Sequence, residues 1–175
     1  MTRIGLTPDW LAATPSPPRR YVARLGTLRI LAGETLALVG TGTRPLLHEL
    51  ADALPACTWV EGATAARGGV LRVHAQQAQR VGMRAVAISG PVEAQLDPHA
   101  RGLAIADLAG LAELGLTSVA ETADAGLAAL FADRIVIVVD GVPLVTYPVI
   151  APVPRRVNDV RPVTERVTAR LAAIG

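Results

Sequence analysis

The fold is decided by residues 115–141, GLTSVAETADAGLAALFADRIVIVVDG. Within this stretch, Leu116 to Ala120 is a short apolar run of the kind that forms a buried strand. Asp124 is a favourable N-cap, and the leucine and phenylalanine residues after it recur at helical spacing. Ile135 to Val139 is an unbroken β-branched run, as expected of a strand covered on both faces. Two such strands joined by an amphipathic helix form a βαβ unit, which predicts a parallel sheet.

Length and composition restrict the possible classes of protein. The chain has 175 residues, enough for one domain with a proper core, and is 51% hydrophobic but only 3% aromatic. No window approaches the roughly 20 apolar residues of a membrane span, and no signal peptide is expected because no apolar segment follows Arg3. The single Cys57 excludes an internal disulfide and favours a reducing cytoplasm. A net charge of +2 is too small to indicate nucleic-acid binding.

The basic residues are all arginine, 17 in number, and the sequence contains no lysine. A lysine ammonium holds the phosphates in a phosphate loop, and a lysine amine forms Schiff bases with carbonyl substrates. Arginine replaces neither group, because its guanidinium stays charged and has a different shape. This sequence therefore cannot supply either kind of chemistry.

Three regions are predicted along the chain. Residues 1–20 end in a proline-rich run and form an extended lead-in, whereas residues 21–150 form an α/β domain. Residues 151–175 comprise a linker and a terminal amphipathic helix, which we expect to dock on the domain, with a surface for binding another protein as the alternative. The apolar runs Thr35–Val39 and Arg84–Ile88 predict two further strands in the centre of the sheet.

Two more helices and an edge strand are predicted from local signals. Apolar residues at helical spacing predict a helix over Pro45–Leu54 and another over Pro98–Leu114. In the second helix, Asp107 is expected to point away from the buried face. The run Leu144–Val149 predicts a strand, and the prolines within and before it place that strand at the edge of the sheet.

The same stretch around the βαβ unit resembles the last third of an ABC-transporter ATPase domain. That family reads G-x-T-V-x-x-x-T-H-D, then a helix, then A-D-R-I-V-V-x-x-x-G. Gly115–Thr122, Asp124–Asp133 and Asp133–Gly141 keep this spacing, and the wider resemblance covers roughly Tyr21–Val145. The switch histidine of the family falls on Ala123, which has no side-chain donor.

The resemblance implies the fold class. It implies an α/β domain with a mostly parallel, RecA-like (P-loop NTPase-like) sheet and helices on both faces. In the family, a whole helical subdomain lies between the first helix and the next core strand. Here only about thirty residues separate Leu54 from Arg84. We therefore expect the helical subdomain to be absent.

The turn after Val39 resembles a shortened phosphate loop. The family pattern G-x-x-x-x-G-K-[ST] supplies backbone N–H groups, a lysine and a hydroxyl for Mg²⁺. Here Gly40 and Gly42 are followed by Thr43 at the lysine position and Arg44 at the hydroxyl position. These four residues form the degenerate loop, about three residues short. A plain strand–turn–helix connection is the favoured interpretation, and a weak anion site at Arg44 is the alternative.

The remaining catalytic motifs of the family are also altered. Val73–Val81 resembles the signature L-S-G-G-Q-x-Q-R-V, but His74 replaces the serine, and Ala75 and Gln76 replace the glycines. The strand that should end in the Mg²⁺-binding aspartate and the catalytic glutamate is followed by residues 89–91, SGP. The sequence therefore predicts no catalytic residue, no bound metal and no cofactor.

These losses lead to two hypotheses about function. The first is a catalytically inactive ABC-ATPase-like subunit, a pseudo-ATPase that serves as a structural or regulatory partner of a membrane transporter or an active ATPase, or forms a homodimer. It would lie in the cytoplasm, held at the inner face of the membrane by its partner. The alternative is a small-ligand-binding α/β domain that uses the crevice above Gly40, Ser89 and Thr122 at the carboxyl ends of the strands.

Two surfaces are predicted to contact a protein partner. One is the loop Leu96, Asp97 and Pro98, which matches the L-D-P subunit-contact loop of the family. The other is the surface left bare by the missing helical subdomain, near Trp59 and Val60. A mean hydropathy of +0.39 supports partnership, because large exposed apolar patches usually mark interaction sites.

Overall fold

The protein is built around a mostly parallel β-sheet. A computed structural model describes residues 20–65, 67, 69–90 and 98–174. The following strands and helices lie in this part of the chain: β1 (Tyr21–Leu25), β2 (Leu28–Leu31), β3 (Thr35–Gly40), α1 (Thr43–Ala53), β4 (Cys57–Glu61), α2 (Gly62–Ala65), α3 (Val70–Arg80), β5 (Ala85–Ser89), α4 (Pro98–Gly110), β6 (Thr117–Glu121), α5 (Ala125–Phe131), β7 (Arg134–Val139), β8 (Val142–Pro148) and α6 (Val157–Ala172). The predicted lead-in, apart from Arg20, lies outside the described residues.

The described residues form a six-stranded sheet in the order β4-β5-β6-β3-β7-β8. All neighbouring strands pair in parallel except β7 and β8, which form an antiparallel hairpin. The four strands predicted to be central, now β3, β5, β6 and β7, all have neighbours on both sides, so that prediction is confirmed. The βαβ unit β6–α5–β7 spans β3: Ala37 pairs with Ala120 on one side and with Ile135 on the other.

Helices cover both faces of this sheet, which confirms the predicted fold class. The side chains of Leu36 and Leu38 in β3 belong to a core beneath α1 and the β1–β2 hairpin. Those of Ala37 and Val39 point to the opposite face and join a core with α3, α4, α5 and α6. Between α1 and β5, the described residues contain only β4, the short α2 and α3, and no separate helical subdomain.

The C-terminal elements are β8, at one edge of the sheet, and α6, which packs on the face that α5 covers. Val160, Val163 and Val167 of α6 are buried against the domain, which confirms that the terminal helix docks. Strand β8 lies at the edge of the sheet, where the prolines of the run Leu144–Val149 predicted it.

Three local predictions need correction. Asp107 does not point away from the domain but is buried, and its Oδ2 accepts a hydrogen bond of 2.8 Å from the backbone N–H of Gly69. Because Gly69 precedes α3, this contact joins α4 to the start of another helix. Helix α1 begins at Thr43, two residues before Pro45, and α4 ends at Gly110 rather than Leu114.

Candidate functional site

A polar crevice lies at the carboxyl ends of β3, β5 and β6. Helix α1 leaves β3 over one face of the sheet, and α5 leaves β6 over the other, so the crevice opens where the connections diverge. Open α/β sheets bind ligands at such a point. The crevice has a volume of about 180 Å³ and is lined by Gly40, Thr43, Arg44, Gly90, Glu121, Thr122 and Ala123.

Glu121, the last residue of β6, occupies the centre of the polar contacts in this crevice. It is only 7% exposed. Its Oε2 accepts a hydrogen bond of 2.9 Å from the hydroxyl of Thr43, and its Oε1 accepts one of 2.5 Å from the backbone N–H of Gly90. The guanidinium of Arg44 lies 3.4 Å from the same Oε1. A buried carboxylate is stable only with such partners. Those of Glu121 come from α1, which supplies Thr43 and Arg44, and from Gly90 after β5.

The position of this carboxylate matters because Thr43 and Arg44 form the first turn of α1. Exposed N–H groups and the helix dipole make the N-terminus of a helix favourable for negative charge. The chain itself supplies that charge through Glu121. Of the four predicted phosphate-loop residues, Gly40, Thr43 and Arg44 thus line a crevice that contains an acidic side chain, whereas Gly42 faces the β7–β8 turn.

The connection between β3 and α1 packs against the end of β7 and the β7–β8 turn. Only Thr41 and Gly42 separate the two elements. The backbone N–H of Thr41 donates to Val138 O at 3.0 Å, and the N–H of Gly141 donates to Thr41 O at 3.2 Å. A Cβ atom on Gly40 would lie 2.0 Å from Val138 O, and one on Gly42 would lie 2.3 Å from Gly141 N. The Thr41 N–H group therefore bonds to the hairpin and is not free to bind a phosphate.

Glu121 is the site residue that sequence analysis missed. The position expected to carry a carboxylate was the end of β5, and there Gly90 contributes only a backbone donor to Glu121. An acidic residue at the carboxyl end of a predicted central strand was the available signal. The run from Leu116 was predicted to end one residue earlier, at Ala120, so this signal was overlooked.

The signature-like stretch is a packing helix in this structure. It lies in α3, where the side chain of Ala75 is buried in the core. The Gln79 side chain donates a hydrogen bond of 2.7 Å to Leu114 O, which ties α3 to the segment after α4. His74 is exposed on the outer surface of the helix.

The residues predicted to contact a partner differ in their exposure, and some of them lie outside the described residues. Leu96 and Asp97 lie outside the described residues, and Pro98 is described only as the first residue of α4. Val60 is 9% exposed and packs in the core of the chain itself, so the expectation that its side chain contacts a partner is wrong. Neighbouring side chains of a strand point to opposite faces, and Trp59 is accordingly 41% exposed. Its ring packs against that of His48, with 4.6 Å between the centroids and an angle of 36° between the ring planes.

The described part of the chain contains neither a metal-ligand cluster nor a membrane-spanning helix. Among these residues, no group of three or more His, Cys, Asp or Glu side chains is arranged to hold a metal ion. Nor does this part contain a helix whose length and apolar character would suffice to span a bilayer. Both findings concern residues 20–65, 67, 69–90 and 98–174 only.

Comparison with known proteins identifies similarity at the level of structure only. No protein-family model matches the sequence, and no curated protein matches it. A solved structure of the ATP-binding cassette MJ0796, a dimeric post-hydrolysis state bound to ADP and Pi, is similar with a TM-score of 0.54. It is 16% identical, and the match covers 71% of this chain and 89% of that chain.

A second similar structure is cbiO1 from Clostridium perfringens, part of the ABC transporter complex cbiONQ. It has a TM-score of 0.52 and 14% identity, covering 89% of this chain and 95% of that chain. At such low identity, the two likenesses establish the fold. The chain has the fold of ABC-transporter ATPase domains.

Proposed function

We propose that the chain is an ABC-ATPase-like subunit that does not hydrolyse ATP and that acts through a protein partner. The observation that carries this proposal is the carboxylate of Glu121 beside the first turn of α1. A nucleotide phosphate bound at this helix would have to lie against that carboxylate. Two unit charges about 4 Å apart repel by about 4 kcal/mol at an effective dielectric constant of 20. The guanidinium of Arg44 beside Glu121 offsets part of this repulsion, and the remainder weakens phosphate binding.

The backbone geometry supports the same conclusion independently of charge. A phosphate loop binds through several free N–H groups, whereas the Thr41 N–H is already bonded to Val138 O. Phosphoryl transfer also needs charge neutralisation by lysine and Mg²⁺. The sequence has no lysine.

The partner role rests on two observations. The similar structures are a dimeric ATP-binding cassette and a part of an ABC transporter complex. In this chain, β4 lies at the edge of the sheet and presents the exposed ring of Trp59. Exposed tryptophan is enriched at the centres of protein interfaces. The partner is a membrane transporter subunit, an active ATPase or a second copy of the chain.

The alternative function, binding of a small ligand in the crevice, has less support. The volume of about 180 Å³ is below the roughly 300–1,000 Å³ that is usual for small-molecule pockets. The polar groups of Glu121, Thr43 and Gly90 already satisfy one another. A ligand would have to break these contacts in order to bind there.

Calorimetry and a phosphate-release assay test the proposal. We expect no ATP hydrolysis, and a Kd for Mg-ATP weaker than about 1 mM, equivalent to about −4 kcal/mol. Changing Glu121 to Ala should tighten ATP binding at least tenfold without producing hydrolysis. Glu61→Ala, at the exposed end of β4, is the matched control and should change nothing. Micromolar ATP binding or turnover by the native protein would overturn the proposal.

A further inference from the structure

A second cavity, larger than the crevice, lies on the opposite side of the molecule from α1. It is a groove of about 610 Å³ between α4 and the segment that precedes α6, with Leu130 of α5 also in its wall. Its lining is mainly apolar and includes Ile105 and Ala106 of α4 and Val153 and Val157 near the start of α6. This volume and composition are typical of small-molecule sites, which combine apolar walls with a few polar groups.

The charged residues of the groove carry a net positive charge. Arg72, Arg155 and Arg156 line it together with one acid, Glu113. Arg155 is also paired with Asp133, whose Oδ1 lies 3.0 Å from its Nη2. Three arginines against these two carboxylates leave a net charge of +1. A ligand with a single negative charge matches this balance, whereas a doubly charged phosphate exceeds it.

Arg155 also has unused hydrogen-bonding capacity. Its side chain is only 3% exposed. Its Nε donates to Ala151 O at 3.4 Å and its Nη2 to Asp133, but its buried Nη1 has no hydrogen-bond partner among the described residues. A buried guanidinium nitrogen without an acceptor is unfavourable, so this side chain is poised to gain one.

We propose that the groove binds a free amphiphilic carboxylate, of the class of medium-chain fatty acids. The hydrocarbon chain packs on Ile105, Ala106 and Leu130, and the carboxylate accepts a hydrogen bond from Arg155 Nη1. Guanidinium and carboxylate groups form strong charge-assisted hydrogen bonds. This site is separate from the crevice, and its occupancy does not depend on whether the chain hydrolyses ATP.

Calorimetric titration of the full chain with decanoate and with decanol, below the micelle concentration of decanoate, tests the proposal. We expect decanoate to bind at least tenfold more tightly than decanol, because only decanoate offers a charged acceptor to Arg155. Arg155→Gln should remove this preference while decanol binding stays the same. Equal binding of the two ligands to the native chain, or no binding of decanoate, would overturn the proposal.

A second variant locates the site without touching the buried ion pair. Ala106 is exposed and lines the groove, so Ala106→Phe fills the cavity without disturbing the core. It should weaken decanoate binding at least tenfold. Ala53→Phe, at an exposed alanine of α1 on the other face, is the matched control and should leave binding unchanged.

The second variant also decides the question if Arg155→Gln fails to fold. Decanoate binding that Ala106→Phe leaves unaffected contradicts the proposal, as does equal weakening by both alanine variants. Binding of the chain to anionic vesicles or to an acidic peptide, without binding of free decanoate, would likewise contradict it and assign the groove to a different partner.

Discussion

At the scale of single residues, three carboxylates are buried among the described residues: Glu121 in the crevice, Asp107 of α4, and Glu34 in the turn between β2 and β3. Glu34 is 2% exposed. Its carboxylate is ion-paired with the guanidinium of Arg134 and accepts a hydrogen bond of 2.9 Å from the N–H of Leu31. Arg134 also donates to Arg29 O, so one side chain joins β7 to β2 and to the turn that follows β2. Each of these carboxylates has at least one partner that is distant in the sequence.

Loss of Arg134 should therefore be costly. Arg134→Met leaves the Glu34 carboxylate buried without its cation, and we expect the free energy of unfolding to fall by about 3–5 kcal/mol. Urea denaturation measures this change. Arg24→Met, at an exposed arginine of β1, is the control and should lie within about 0.5 kcal/mol of the native value. Equal effects of the two variants would refute a role for the ion pair.

The thiol of Cys57 should be unreactive at neutral pH. Burial raises its pKa from 9.0 to about 11, the negative charge of Asp52 adds to the rise, and a backbone hydrogen bond with Ala87 opposes it. Labelling by iodoacetamide at pH 8 should thus be much slower than that of glutathione, because the thiolate is the nucleophile. Labelling of the folded chain as fast as the free thiol would contradict the raised pKa.

The same shift has a consequence for stability. Since the pKa is raised in the folded state, the contribution of this thiol is fully present below pH 9.0 and is lost as the pH rises towards about 11. Cys57→Ala should remove this component of the pH dependence between those values. Denaturation curves of both proteins across this range measure the difference.

What sequence could not reveal at this scale is the set of long-range partners. The donors to Glu121 from Thr43 and Gly90 are 78 and 31 residues away in the chain. No local pattern predicts such a contact. For Val60 the difficulty is different: Trp59 and Val60 were assigned to one surface, but the pleat of β4 directs them to opposite faces. The predicted exposure of Asp107 failed for the first reason, since its partner is 38 residues away.

At the scale of elements, α6 is attached through three valines that are buried between it and the domain, Val160, Val163 and Val167. Its position was predictable because the apolar stripe has the spacing of a helix. The groove beside α6 was not, because it depends on how the linker before the helix packs on α4. Packing of one helix on several others is a tertiary property that periodicity does not specify.

The docking of α6 leads to a stability prediction. Val167 is fully buried, so Val167→Ala should lower the free energy of unfolding by about 2 kcal/mol through lost burial and cavity formation. Val157→Ala, at an exposed position of the same helix, should change it by less than about 0.5 kcal/mol. Thermal denaturation of the two variants makes the comparison. If Val157→Ala were the more damaging change, α6 would not be docked by the face described.

At the scale of the whole molecule, the parallel sheet was the most predictable feature. Its central strands are covered on both faces and therefore appear in the sequence as continuous apolar runs. The strand order β4-β5-β6-β3-β7-β8 was not predicted, because apolar runs do not specify which strands are neighbours. The sheet ends differently on its two sides: β8 carries prolines, whereas β4 carries the exposed ring of Trp59.

Association should therefore depend on the β4 edge. We expect sedimentation at micromolar concentration to show a dimer of the chain, or a complex when a membrane partner is supplied. Trp59→Arg should weaken this association at least tenfold. Val142→Arg, at a 63% exposed position on the opposite edge, is the matched control and should leave it unchanged. A native chain that remains monomeric with every partner offered, or equal effects of both substitutions, would contradict an interface at β4.

The contact of the β3–α1 turn with the hairpin has a consequence for evolution. Any side chain at Gly40 or Gly42 would collide with the backbone of Val138 or Gly141. A longer turn that could surround a phosphate needs several inserted residues and a displaced hairpin at the same time. Intermediates with only one of these changes would be strained, so point mutation alone offers no gradual route to a longer turn. The two glycines therefore keep the turn short.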